Sequence, residues 1–375
     1  MKKYSHKHRD RTIKINIEKR QGYSTGIKKN KSGMGHGALA KWVNSQKDNG
    51  LDLHVKNFKV TINLPPVMNF SGEYDVTIKY INGIRMFTKA GRHRPSDHRL
   101  SRISFNNLKT ISASAALVLT AEISRWDDYS TRKLLPETSG WDKDIYNKFK
   151  QLGYFDLFDN NPTIPLKEEE LLTKIRLVKY IKGTSGDVPR RREVGQELEK
   201  IIGEKVPKWM FLSTGLQEAI VNVGHHAYPE KAKFNELDKY WYLTASFDQE
   251  ANTIKIVFYD QGVGIPASLP SSSMKEQLLS WLSEHFPSVD KHEDKVLLKA
   301  AVAVSRSRTQ EPDRGKGIPD MLEFIRQKEN GYMSILSGKG LYKCAYNDGN
   351  EDIKSVGFNN PIEGTLIIWK VQLES

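Results

Sequence analysis

The chain has 375 residues, of which 38% are apolar, and 58 Lys or Arg stand against 45 Asp or Glu for a formal net charge of +13. That is room for two or three domains at roughly 100–200 residues each, while the single cysteine, Cys344, excludes an internal disulfide and a cysteine zinc site and fits a reducing compartment. No apolar run approaches the roughly 18–20 residues of a membrane span, and no apolar core follows the basic N-terminus as in a secretory signal, so a soluble, cytoplasmic protein with no membrane partner is expected.

Residues 1–50 carry 13 Lys or Arg against 3 Asp or Glu, a net +10, and the remainder is nearly balanced. This stretch reads as a basic, flexible tail: either a solvated extension or an electrostatic arm for nucleic acid. A second basic cluster, KAGRHRPSDHR (89–99), reads as a loop because of its Gly and Pro. FKVTINL (58–64) and YDVTIKYI (74–81) alternate and are β-branched, so both are expected as strands. RISFNNLKTIS (102–112) follows as a strand running into a helix, ASAALVLTAEISRW (113–126). Residues 51–130 therefore form a small α/β domain. A helical connector over 131–200 holds one helix near 142–151, an ambiguous segment at 167–182 and a helix starting at 191.

From 201 onward a single larger domain is expected. A helix over 211–227 carries Leu216, Ala219, Ile220, Val223 and Ala227 on one face, at spacings of three and four. Glu218, Asn222 and His226, four residues apart, form a second stripe. By itself this is either a solvated face or a row aimed into a pocket. A carboxylate can take a proton from water, and an amide oxygen can ligate a hard cation. YWYLTASFD (240–248) and NTIKIVFYD (252–260) form a hairpin. The second strand ends in Asp260 and runs into QGVGIP, where Gly262 and Gly264 allow close approach to the backbone. A long polar stretch, 266–313, contains one apolar helix. DRGKGIPDM then places Gly315 and Gly317 at the start of a helix over 317–330, whose exposed amides suit phosphate. GYMSILSGKGLYKCAY (331–346) and GTLIIWKVQL (364–373) close the chain as strands, the second opened by Gly364 and Thr365.

In this order, Glu-x-x-x-Asn on a helix, Asp-x-Gly-x-Gly after a strand, Gly-x-Gly before a helix and Gly-Thr opening a strand resemble the ATP-binding module of the GHKL superfamily. The closest likeness is to the anti-sigma-factor serine kinases, whose first motif also continues into His-Ala-Tyr, here His226-Ala227-Tyr228. The resemblance covers residues 201–375 and implies a Bergerat-type two-layer α/β sandwich within an α+β chain, with 266–313 as a lid. It implies ATP and Mg2+ as cofactors. Asn222 would ligate the metal, and Glu218 would orient or deprotonate the attacking group. Asp260 would accept the adenine amino group, with Thr365 beside it. Gly262 and Gly264 would admit the base, and Gly315 and Gly317 would offer amides to the phosphates. Arg314 and Lys316 could neutralise phosphate by position, and His226 suits helix packing or the sugar side as well as chemistry.

ISFNNLKTISASAALVL is similar to the core of STAS domains, in which a strand leads to a phosphorylatable serine at a helix start. This chain departs from that pattern. Ala113 holds the acceptor position, between Ser112 and Ser114, so the likeness implies no self-phosphorylation. The expected function is a Mg-dependent regulatory ATPase whose nucleotide state switches contacts with a protein partner, in a prokaryotic signalling or defence system, with a homodimer as one arrangement. A serine/threonine kinase of the anti-sigma type and a nucleotide-holding or nucleic-acid-associated binder are the alternatives.

Overall fold

The computed structural model describes residues 38–89, 98–129, 136–158, 174–184, 191–203, 205–229, 234, 239–269, 275–285, 293–307 and 317–373. Most of the basic tail and of the 89–99 loop lies outside them. The end of the expected tail is helical: α1 (Ala38–Asp48) buries Leu39 and Val43 and sets Trp42 edge-on to Phe87.

β1 (Leu53–Lys56) and β2 (Lys59–Asn63) form a hairpin across Asn57 and Phe58, both at positive φ, the conformation a two-residue turn demands. Pro65 and Pro66 lack N–H groups and interrupt the strand, which resumes as β3 (Val67–Met68). Next comes α2 (Tyr74–Lys89), where the period-two reading of 74–81 fails. Ile78, Ile81, Ile84 and Phe87 recur at helical spacing, and the Asn69 side chain accepts the amides of Ser71, Gly72 and Glu73 just before the helix. α2 crosses over to β4 (Arg99–Ser104), parallel to β2. β5 (Thr110–Ile111) lies parallel to β3 and leads into α3 (Ala113–Tyr129). Ser112 Oγ accepts the Ala115 amide at 3.2 Å, so this serine caps α3. α4 (Lys143–Leu152) starts at an Asp142 cap and ends on Gly153 at φ 84°.

The expected connector supplies two short strands, β6 (Ile175–Leu177) and β7 (Ile181–Gly183), both paired with β8, and a helix, α5 (Arg191–Ile202). β8 (Trp241–Asp248), β9 (Thr253–Asp260), β10 (Gly331–Asn347) and β11 (Asn350–Gln372) complete an antiparallel sheet of order β10-β11-β9-β8-β6. One face packs Trp241, Phe258, Ile367 and Trp369 against Leu216, Ile220, Leu322 and Ile325 of α6 (Trp209–Asn222) and α10 (Gly317–Lys328). The other face packs Tyr242, Val257, Tyr259 and Ile368 against Ile78, Ile81, Ala115 and Leu119 of α2 and α3. The sheet is thus the middle of three layers in an α+β chain, one outer layer drawn from residues 201–375 and the other from the N-terminal unit. Covering both faces explains why β8 is buried along nearly its whole length rather than alternately.

At about 3.3 Å per residue, β10 would span more than 50 Å if straight. Its two ends instead meet: Gly349 N donates to Glu329 O, and Asp348 N to Asn330 Oδ1. The strand folds back at Gly338-Lys339-Gly340, where the register shifts. The 266–313 stretch holds α7 (Ile265–Ser268), α8 (Lys275–His285) and α9 (Asp294–Ser307), which share a small core of Leu278, Leu282, Ala300 and Val304. α9 docks on the fold-back through Asp294 Oδ2, which accepts the Lys339 amide at 2.6 Å. No described helix is long and apolar enough to cross a membrane.

Candidate functional site

Asp260 ends the central strand β9, paired with Trp241 on one side and Thr365 on the other. Alternation puts its side chain on the face of Ile256 and Phe258, toward α6 and α10. The carboxylate is buried and accepts the Gly262 amide at 2.8 Å and both the amide and the hydroxyl of Thr365. Burial pushes its pKa up to about 7, and these neutral donors only partly oppose the shift. Among the described residues only neutral donors hold this buried carboxylate, an arrangement that suits a ligand bringing further hydrogen-bond donors.

The turn after Asp260 is built from close contacts. A side chain on Gly262 would put its Cβ 2.4 Å from Ala227 O, and Val263 N donates to that same carbonyl at 2.8 Å. Gly264 takes φ 83°, ψ 161°, a conformation almost confined to glycine. Ser337 Oγ donates to Gly364 O, accepts the Ile265 amide and lies 3.2 Å from Thr365 Oγ1. Gly364, at φ 78°, leaves no room for a Cβ, which would lie 1.9 Å from Asp260 O. Gly364→Ala therefore forces the two strands apart, and the thermal midpoint should drop by roughly 3 °C for a loss of about 2–3 kcal/mol. An unchanged midpoint would show that the junction yields.

The expected helix over 211–227 ends at Asn222. Val223–Ala227 continues as a π-turn, with wider spacing than the α-helix. The apolar face remains as expected: Leu216, Ala219, Ile220, Val223 and Ala227 are all buried. The polar stripe does not continue. His226 lies exposed in the turn, with its ring 5.9 Å from that of His225. The π-turn aims Ala227 O at the Val263 amide and so joins α6 to the Asp260 turn.

Glu218 and Asn222 meet the start of α10. A Cβ on Gly317 would lie 3.3 Å from Glu218 Oε2 and 3.4 Å from Asn222 Nδ2. Gly215 permits this approach, since a side chain there would put its Cβ 2.9 Å from Met321 Cα. A mid-helix glycine costs about 1 kcal/mol relative to alanine, and that is the only hint the sequence gives of its packing role. Burial raises the Glu218 pKa, and the like charge of Asp320 adds to the shift while His225 opposes it. Partial desolvation of its ring by the surrounding turn, and the neighbouring His225, hold His226 below the ordinary histidine value.

The structure thus brings Asp260, Gly262, Gly264 and Thr365 into one cluster and Glu218, Asn222 and Gly317 into a second, joined through the π-turn. Arg314, Gly315 and Lys316 lie outside the described residues. Among those described, no group of three His, Cys, Asp or Glu side chains could cage a metal. A groove of about 440 Å³ lined by Arg192, Gln196, Trp209 and Met210 lies between α5 and the start of α6, and none of the expected site residues lines it. Sequence reasoning missed Ser337, Gly215 and Gln261. No protein-family model matches the chain, and no curated protein matches it in sequence.

Proposed function

We propose that the C-terminal part of the chain binds ATP with Mg2+ and hydrolyses it, the nucleotide state switching contacts with a protein partner. The observation that carries this reading is the buried Asp260 carboxylate, held by neutral donors at the end of the central strand. The likeness of four ordered motifs to GHKL modules supports it. So does the meeting of Glu218 and Asn222 with the N-terminus of α10, where the helix dipole favours phosphate.

In this reading Asp260 accepts the exocyclic amino group of adenine. Guanine offers a carbonyl at the same place and is rejected. The donor set fits Mg2+, which is commonly held by one or two side-chain oxygens, water and substrate phosphates rather than by a protein cage. Asn222 would be its protein ligand, and the ion would neutralise phosphate charge. Glu218 orients the attacking water and takes its proton. Burial and Asp320 raise its pKa, which makes it a stronger base than an exposed glutamate.

Asn222→Ala is expected to remove the Mg2+ dependence of ATP binding. Titrations with Mg2+ and with EDTA check this, and a retained dependence would exclude Asn222 as the ligand. The reaction type is read by incubating the protein with γ-labelled ATP and Mg2+. Label released as free phosphate supports hydrolysis, and label on protein would replace the ATPase reading with a kinase. ATP bound but never turned over would make the chain a nucleotide-holding regulator.

A further inference from the structure

Successive side chains along a strand point to opposite faces of the sheet, so both neighbours of Asp260 point away from it. Asp260 faces the helices of the candidate site, while Tyr259 and Gln261 face the N-terminal unit. There they enter a buried polar network. Gln261 Nε2 donates to Glu122 Oε1 of α3 at 2.8 Å. Glu122 is fully buried and paired with Arg85 of α2 through two hydrogen bonds, Nε to Oε2 at 3.0 Å and Nη2 to Oε1 at 2.5 Å. Arg85 Nη2 also donates to Tyr259 OH at 2.9 Å, and that hydroxyl lies 3.0 Å from Glu363 O. The Gln261 amide donates to Tyr228 OH at 3.1 Å, one residue past the π-turn.

The same unit grips the segment that leads to Thr365. Tyr74 of α2 stacks on Phe358 with ring centroids 3.6 Å apart and donates to Asn360 O at 2.9 Å, and Asn82 donates to Pro361 O at 3.0 Å. Both stretches of backbone that hold Asp260, 261–262 and 363–365, therefore end on α2 and α3.

We infer that Gln261, Glu122 and Arg85 are positioning residues for Asp260, and that the packing of α2 and α3 on the sheet is coupled to what occupies the Asp260 turn. The N-terminal unit is then the part of the chain that senses the site. The ion pair suits that task. A buried pair contributes little net stability, but it has strict geometric demands, so a small displacement of Gln261 is felt by both helices. The ligand-linked half of this inference rests on the nucleotide reading. The positioning half does not.

The test uses full-length protein and Gln261→Met, which keeps the volume and removes the donor. Glu122 retains Arg85 and Tyr259 as partners, so the variant should fold. Hydrogen–deuterium exchange is followed in peptides covering 74–89, 113–129 and 260–265. Without ligand, exchange in 260–265 should be at least about 5-fold faster in the variant, with the other strands unchanged. Unchanged exchange there, or acceleration throughout the sheet as from general loosening, overturns the positioning role. With Mg-ATP, exchange should slow in all three peptides of the wild type, but only in 260–265 of the variant. Equal slowing of α2 and α3 in both proteins, or none in a wild type that binds ATP, overturns the coupling. A wild type that binds no ATP refutes the nucleotide reading and the coupling with it, while the ligand-free comparison still decides the positioning role.

Discussion

Asp260→Asn is expected to weaken ATP binding about 100-fold while making the ligand-free chain more stable at pH 8. The loss follows from removing a charged acceptor from a buried site, where a hydrogen bond to a charged group contributes about 1.5–3 kcal/mol. Discrimination against GTP should collapse with it. The gain follows from the raised pKa. Between its ordinary value of 3.8 and about 7, the native carboxyl holds a proton that the unfolded chain has released. Stability contributed by this group is therefore full below pH 4 and falls as pH rises to about 7. The whole penalty is about 4 kcal/mol at the most. Asparagine carries no such penalty, and its carbonyl can still accept from Gly262 and Thr365. Urea unfolding at pH 5 and pH 8 checks this: the variant should show a much smaller difference between the two. ATP affinity of the wild type should also fall below pH 7, as protonation removes the acceptor.

Glu218→Gln is expected to leave ATP affinity within a factor of about 3 and to lower turnover by about 1,000-fold, within the range for loss of a positioned base. Glutamine keeps the volume beside Gly317 and cannot take a proton. Because burial and Asp320 raise the wild-type pKa, the acid limb of its rate profile should lie above the ordinary glutamate range. Single-turnover hydrolysis against pH reads both effects. Undiminished turnover would remove Glu218 from the chemistry. Loss of ATP binding instead would make it a binding group.

What the sequence disclosed was local. The hairpin of β8 and β9 shows in its β-branched runs, α10 in its glycine start, and the Asp260 turn in Asp260, Gly262 and Gly264 at alternate positions. α2 was misread because Tyr74, Val76, Ile78 and Tyr80 mimic a strand over one short window. The helical period emerges only when Ile81, Ile84 and Phe87 are included. α9 was hidden in a charged, Pro- and Ser-containing stretch. β10 looked like a single strand because its reversal needs only Ser-Gly-Lys-Gly. The stripe of Glu218, Asn222 and His226 assumed α-helical spacing throughout, and the π-turn breaks it after the second member. Gln261 carried no motif signal at all. Its partner Glu122 lies 139 residues away, and such a contact exists only once two layers close on the sheet.

The central claim is that Asp260 reads adenine, and calorimetric titration of the wild type with Mg-ATP and Mg-GTP tests it most directly. One ATP site per chain is expected, with ATP bound at least about 50-fold more tightly than GTP and the difference lost in Asp260→Asn. Equal affinities for the two nucleotides, or no ATP binding at all, would contradict it.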